Sequence, residues 1–358
     1  MTGRSPRYCP GAEGSIRHTI LTLIGAVLLA AGLSACGGSS GGGTDKAPLK
    51  GAGSSLVEPM VQAWIPEVRD RSGIEVTYSP IGSGGGIQAI TTRTVDFGAS
   101  DAPLSPDQAK ACKGCLLVPW ALSATALSYN VPGAGSDLRL TGPVIADIFL
   151  GKITSWSDPR ITKLNPGKPL PSQGIGPIFR SDASGDTYAF TSYLTKVSPV
   201  WKDKVGAGTL VNFPAGAGGR GNSGVAGTIT RTPGALGYIS VAYAVQNKLD
   251  VASIQNAAGQ FVRPDLAGIE AAAEAMGKPA PDNSISIVDP PASATDAYPI
   301  STFSYAIVPK DAPKATELKE LLDYALGPGQ EFAERFVFAK LPARVVALGK
   351  KTIAMIGS

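Results

Sequence analysis

Arg180 and Asp182, followed by Ser184 and Gly185 just ahead of a helix-like run from Tyr188 to Leu194, bring a guanidinium, a carboxylate and a capping hydroxyl close together in the chain. A guanidinium offers planar donors that match a phosphate or carboxylate, and an aspartate two residues on can hold that fork in place. Serine and glycine at a helix start add a hydroxyl and uncrowded N–H groups where bound negative charge is favoured. This is the chemistry of an oxyanion seat. Ser and Asp also cap ordinary surface turns, so the assignment depends on whether other loops of the same kind exist.

Such loops recur. Gly51-Ala52-Gly53-Ser54-Ser55-Leu56 precedes Val57, Val61, Trp64 and Val68 at helical spacing, with Pro59 suited to a first turn and Pro66 expected to kink or cut the helix. Ile74, Val76 and Tyr78 alternate as a strand and run into Ile81-Gly82-Ser83-Gly84-Gly85-Gly86, after which a second helix is expected from Ile87. Val95 and Phe97 mark a further strand that delivers Ser100 and Asp101. Strands alternating with helices predict α/β lobes, whose ligands bind at the carboxyl ends of the strands, where these loops lie.

Leu117, Val118 and residues 126–131 read as strands leading into a second lobe. There, helices are expected at 143–150, 188–195 and 268–276, a close-packed glycine-dense loop at 212–224, and a strand through Tyr238 and Ile239. Ile287, Val288, residues 298–300 and the alternating Phe303, Tyr305 and Ile307 read as a return crossing, with helices at 316–326 and 330–338 packing back on the first lobe. Two crossings are what a hinged clamshell requires.

The elements fit a chain of 358 residues, 43% hydrophobic and 17% charged, long enough for two domains. Arg4, Arg7 and Arg17 precede an apolar run at 20–33, too short to span a bilayer and suited to a secretory signal. The run ends in Leu33-Ser34-Ala35-Cys36, which resembles the bacterial lipobox, so residues 1–35 are expected to be removed and Cys36 to be lipidated. Residues 36–50, Gly/Ser-rich and then polar, read as a flexible tether. Cleavage there leaves 29 basic and 27 acidic side chains, a balance that argues against a nucleic-acid footprint, which needs a clustered basic stripe. Beyond Cys9 and Cys36 only Cys112 and Cys115 remain; with no second pair and the sole histidine, His18, in the leader, a structural disulfide is expected and no metal or other cofactor.

Five motifs in order, Gly51-Ala52-Gly53-Ser54-Ser55, residues 81–86, residues 94–101, residues 180–185, and Gly221-Asn222-Ser223-Gly224 with residues 233–238, carry a resemblance over nearly the whole mature chain. The chain resembles the phosphate-binding lipoprotein or periplasmic protein of the bacterial high-affinity phosphate ABC transporter. The resemblance implies a type II periplasmic-binding-protein clamshell with its ligand in the interlobe cleft, lobe I at 51–123 and 295–358 and lobe II at 124–294. It implies phosphate contacts from Ser55, Ser83, Asp101, Arg180, Ser184 and Gly185, with the backbone N–H of Leu56; Ser54 and Asp186 beside them are counted as further candidate phosphate contacts, and Asp182 as the residue that orients Arg180. A monomer, anchored outside the cytoplasm through Cys36 and delivering inorganic phosphate to ABC permease subunits, is the expected form. Two positions depart from the family: Leu56 stands where phenylalanine is usual, with Val57 and Glu58 ahead of Pro59, and Asp186 stands where many members carry threonine. An ionised Asp186 beside the ligand would repel a bare anion and accept a protonated one.

Asp101 is the expected selectivity residue: an obligatory acceptor welcomes an oxyanion that keeps a proton at neutral pH and rejects sulfate by roughly 10⁴. Competing readings are weaker. A secreted phosphatase would lack a histidine after processing, and the only Gly-x-Ser-x-Gly matches fall in the tether. Gly216-Ala217-Gly218-Gly219-Arg220-Gly221 matches a dinucleotide fingerprint by spacing but follows Phe213-Pro214 instead of a clear strand. The same fold serving sulfate, molybdate or arsenate is the nearest alternative, arsenate sharing phosphate's charge and shape.

Overall fold

The computed structural model describes residues 46–358; the expected signal, the lipidation site Cys36 and most of the tether lie outside the described residues. The tether expectation is corrected at its far end. Strand β1 (Leu49–Gly53) already belongs to the folded body, with Leu49 fully buried and Lys46 paired with Glu320 at 2.5 Å. Apolar Leu49 faces the core, which a freely sampling tether would leave in water.

From β1 the chain continues through α1 (Glu58–Ser72), β2 (Val76–Ser79), α2 (Ser83–Thr91), β3 (Phe97–Ser100) and α3 (Pro106–Cys112). Pro59 occupies the first turn of α1, and the helix runs on through Pro66. The expected cut does not occur because Pro66 is exposed: water can take the carbonyl its ring cannot satisfy, on the face where helices already curve outward. The glycine loop at 81–86 is likewise shorter than expected, since α2 begins at Ser83, within it.

Strand β4 (Cys115–Tyr129) is a single 15-residue strand where two were expected. It leads to β5 (Arg139–Leu140), α4 (Gly142–Phe149), α5 (Pro159–Thr162), β6 (Gly176–Arg180), α6 (Gly185–Val197) and α7 (Pro199–Lys204). Next come β7 (Ala217–Gly219), α8 (Gly221–Arg231), β8 (Ala235–Ser240), α9 (Val241–Gln246), β9 (Asp250–Val251), β10 (Ser253–Gln255), β11 (Phe261–Val262) and α10 (Leu266–Glu274). The chain returns on β12 (Ser301–Pro309) and closes with α11 (Ala315–Leu326) and α12 (Ala343–Ala354). Between the last two, the helix expected at 330–338 is two short 3₁₀ turns. Gly329 gives its carbonyl to the Trp64 indole at 2.9 Å, and the Gln330 side chain donates to the carbonyls of Ala325 and Trp120, so tertiary partners take groups that a regular helix would use.

The stretch at 212–224 is also corrected. It contains β7 and the start of α8, so the Gly-x-Gly-x-x-Gly spacing does sit between a strand and a helix. Short glycine-rich β7 has little propensity of its own; its ladder with β6, from Ile178↔Ala217 to Arg180↔Gly219, defines it.

The main sheet has the order β2-β1-β3-β12-β4-β8-β6-β7, with β9 pairing on β4. β1 runs parallel to β2 and β3, and β6 parallel to β7 and β8, while β12 and β4 are antiparallel to their neighbours. Along β4 the partner changes: residues up to Ala124 pair with β12, and from Thr125 onward with β8. Beside that point the Thr125 N–H donates to Ile300 O at 2.9 Å, so outgoing and returning chains touch where the two half-sheets meet. Each half has an aromatic centre. Trp64 and Phe97 pack edge-on against Trp120, while Phe190 stacks on Tyr238 at 4.4 Å, and all four tryptophans are buried with their indole N–H bonded to an oxygen.

Candidate functional site

The carboxyl ends of five parallel strands and the loops after them deliver one buried cluster. β1 is followed by Ser54 and Ser55, β2 by Ser83 at the start of α2, and β3 by Asp101; β6 ends in Arg180 ahead of Asp182, Ser184 and α6, and β7 leads to Asn222 in the first turn of α8. Except for the part-exposed Asp182, these polar side chains are buried. The two half-sheets meet here directly. Gly84 N–H donates to Ala183 O at 3.0 Å, Gly185 N–H to Ser83 Oγ at 3.0 Å, and a Cβ on Gly185 would collide with Asp101.

Arg180 is held on two sides. Its Nε donates to Asp182 Oδ1 at 2.8 Å and its Nη2 to Asp182 Oδ2, while Nη1 donates to Asp186 Oδ2 at 2.9 Å. Of a guanidinium's five N–H groups three are thereby spent, leaving one on each terminal nitrogen. Asp186, fully buried, has both oxygens occupied: Oδ1 accepts from Thr125 Oγ1 at 2.8 Å, and Oδ2 accepts from Asn222 Nδ2 at 2.9 Å as well as from Arg180. Burial pushes the Asp186 carboxyl up, against the downward pull of Arg180, Asn222 and Thr125. Flanking carboxylates keep Arg180 firmly charged despite its burial.

The hydroxyls have a common pattern. Ser55 Oγ accepts from Asn222 N at 3.3 Å and Asn222 Nδ2 at 3.0 Å; Ser184 Oγ accepts from Asp186 N at 3.1 Å and Thr187 N at 3.5 Å. Among the described residues neither finds an acceptor for its own proton, so each is left as a donor. Ser83 Oγ accepts from Gly185 N and Asp101 N and reaches Asp101 Oδ2 at 3.5 Å. Ser54 and Leu56 are engaged differently: Ser54 Oγ donates to Asp101 Oδ2 and accepts the Leu56 N–H at 3.0 Å.

Asp101 departs from this satisfaction. It is 2% exposed, and its Oδ1 has no hydrogen-bond partner among the described residues. Burial, followed by the nearby Asp186 charge, pushes its carboxyl up to about 7. Buried polar atoms are almost always paired, so a carboxylate oxygen left without a donor among spare hydroxyl protons marks a place for a donor from outside the chain. A cavity of about 110 Å³ reaches Asp101 between Tyr188, Thr302 and the 284–288 segment; the larger hollow of about 620 Å³ beside Arg344 and Lys351 lies on other elements.

Four residues of the cluster escaped sequence reasoning: Thr125, Asn222, Tyr238 and Ser240. Tyr238 OH accepts from Arg180 N at 2.9 Å, and Ser240, whose Oγ is buried without a partner, donates its N–H to Asn222 Oδ1 at 2.8 Å. Asn222 stood within a quoted motif, and its place at a helix start was the available signal; Thr125 is a mid-strand threonine with no local sign. Cys112 and Cys115 are joined at the end of α3, their Cα atoms 5.5 Å apart, away from the cluster. Among the described residues no group of three His, Cys, Asp or Glu is placed to hold a metal, and no helix is long and apolar enough to cross a membrane.

Comparison with known proteins adds three findings. A family model described as a PBP superfamily domain matches residues 38–328. The chain is 40% identical over 312 residues to the phosphate-binding protein PstS of Xylella fastidiosa, covering 85% of this chain and 84% of that one, and 33% identical over 384 residues to PstS of Methanocaldococcus jannaschii, covering 97% and 98%. Among solved structures, the high affinity periplasmic phosphate-binding protein PfluDING bound with phosphate superposes with a TM-score of 0.71 at 22% identity, over 85% of this chain and 93% of that one. A putative phosphate ABC transporter substrate-binding protein from Clostridium perfringens has a TM-score of 0.62 at 18% identity, over 83% and 100%. These structural likenesses carry the two-lobe α/β fold.

Proposed function

We propose, since the chain belongs to the PBP superfamily and within it to the PstS phosphate-binding proteins, that it captures inorganic phosphate between two lobes and delivers it to an ABC-type phosphate permease. The observation that carries the ligand is Asp101: a buried carboxylate with one unpartnered oxygen, set among hydroxyls that have only protons to offer. Hydrogen phosphate presents acceptor oxygens to those donors and one O–H to Asp101. Sulfate presents no proton at neutral pH and leaves Asp101 facing a lone pair.

In this reading Ser55, Ser83, Ser184 and the two spare N–H groups of Arg180 grip the anion. Ser54 and Leu56 brace Asp101, and Asp182 and Asp186 aim Arg180. Gly185 lets the start of α6 approach Asp101. The lobes are residues 51–123 with 295–358, and 124–294, a division supported by the partner change along β4 between Ala124 and Thr125. The chain works outside the cytoplasm, held by a lipid on Cys36, as the lipobox-like leader supports. It binds and releases without covalent chemistry: the described residues contain no histidine, and each carboxylate of the cluster is engaged in bracing or selection.

One guanidinium faces three carboxyl groups, so a fully ionised ligand adds negative charge to a site already rich in it. Binding should therefore bring protons with it and weaken as pH rises past 7, where Asp101 loses its own. Calorimetric titration with phosphate and with sulfate at pH 5.5 and pH 8 tests the assignment. Wild type is expected to bind phosphate, more tightly at pH 5.5, and to give no heat with sulfate at pH 8, where Asp101 is ionised and can only accept. Asp101→Asn should lose phosphate affinity by about a hundredfold or more and gain tolerance of sulfate, and Asp186→Thr should flatten the pH dependence. No heat with phosphate, or equal affinity for sulfate at pH 8, overturns the reading.

A further inference from the structure

Asn222 lies in the first turn of α8, is buried with its amide oxygen, both amide protons and backbone N–H all engaged, and touches both half-sheets. Its Oδ1 accepts from the backbone N–H of Ser240 at 2.8 Å. Only the carbonyl oxygen can meet that donor, so the amide orientation is forced. Its Nδ2 must then point the other way, where it donates to Ser55 Oγ at 3.0 Å and to Asp186 Oδ2 at 2.9 Å. Its own N–H donates to Ser55 Oγ as well, at 3.3 Å.

The consequence falls on Ser55. A hydroxyl has two lone pairs and one proton; both lone pairs of Ser55 are filled from Asn222, and what remains is a proton with no acceptor among the described residues. Ser55 follows β1 in one half-sheet, whereas Asn222 follows β7 in the other, so these bonds exist only when the halves are together.

We propose that Asn222 is the positioning residue that makes Ser55 an obligate donor on closure, which closes Ser55 to a proton on the bound ligand and directs that proton to Asp101. The inference rests on the phosphate reading above and deepens it. A free serine hydroxyl could accept a ligand O–H as readily as donate to a ligand oxygen and would blur the choice between protonated and bare oxyanions. Filling its lone pairs removes that freedom. The same amide steadies Asp186 and through it Arg180, joining the donor side of the site to the cation.

The test is calorimetric titration of wild type, Asn222→Asp and Asn222→Ala with inorganic phosphate at pH 5.5 and pH 8, with thermal melts to verify folding. Asn222→Asp keeps an oxygen for the Ser240 N–H but, when ionised, draws the Ser55 proton to itself. Its affinity should drop on the order of a hundredfold at pH 8. At pH 5.5, where a buried carboxyl beside Asp186 takes up a proton and can donate again, it should return to within about tenfold of wild type. If Asn222→Asp does not fold, Asn222→Ala carries the test. It opens one lone pair on Ser55, so its ratio of affinities between pH 5.5 and pH 8 should exceed that of wild type. Wild-type affinity at both pH values in Asn222→Asp, an equal loss at both, or an unchanged ratio in Asn222→Ala overturns the inference while leaving the phosphate reading standing. No heat from wild type with phosphate overturns both.

Discussion

A carboxylic acid sealed from water holds its proton longer, because the charged form loses hydration that nothing in the protein fully replaces. Asp101 is such a group, raised from 3.8 to about 7 by burial and by the neighbouring Asp186. The sign for stability follows. Between these values the folded chain keeps a proton that the unfolded chain has lost, so stability is greatest at the acid end and falls as pH rises toward 7. The size is on the order of a few kcal/mol, and Asp186, shifted in the same direction, adds to it. Ligand-free wild type should therefore melt at a lower temperature at pH 8 than at pH 5, and Asp101→Asn should shrink that difference. Equal pH dependence in the two proteins would show that Asp101 is ionised at no cost.

At the scale of elements, the position of Ser83 depends on how closely α2 packs. Gly86 lies on the buried face of this helix, and a Cβ there would stand 2.7 Å from Ala52 O and 2.8 Å from Ala99 O. Both neighbours are backbone atoms of β1 and β3, which cannot rotate aside. Gly86→Ala should lower stability by about 2–3 kcal/mol in denaturant unfolding and displace Ser83, weakening phosphate binding as well. An unchanged midpoint would mean that α2 slides freely on the sheet. The other two glycines of the run meet different neighbours, a Cβ on Gly84 striking Ala183 and one on Gly85 striking Ile81, so a run legible in the sequence as a loop is realised as the first turn of a helix. Pro66, exposed on α1, illustrates the opposite case: a helix breaker by local rules, tolerated because its lost hydrogen bond faces water.

For the whole molecule, the joined state of the two halves is held by more than the anion site. Tyr243 OH, on α9, donates to Glu58 Oε2 at the start of α1, bridging the half-sheets outside the cluster. Glu58 is part of the departure from the family noted after Leu56, so the departure has a structural use. A hydrogen bond to a charged group contributes about 1.5–3 kcal/mol. Tyr243→Phe should accordingly raise the phosphate dissociation rate roughly tenfold while the association rate changes little, as stopped-flow measurements would show. An unchanged dissociation rate would mean that this bridge opens before the cleft does.

Much of the site was legible because its parts are local. An arginine followed by an aspartate, glycine and serine at helix starts, and an aspartate at a strand end each announce their chemistry within a few residues, and the α/β alternation follows from hydrophobic period alone. What the sequence could not supply was the state of each valence. Nothing local says that Ser54 would spend its hydroxyl on Asp101, that Leu56 would spend its N–H on Ser54, or that Asp186 would turn both oxygens to Arg180, Thr125 and Asn222. The short strand β7, the unbroken β4 and the 3₁₀ turns after α11 likewise follow from partners far along the chain. Residue type determines which hydrogen bonds a side chain is able to make. Only the fold, by bringing Ser55 to Asn222 across 167 positions and Thr125 to Asp186 across 61, decides which are already made and which are left for a ligand.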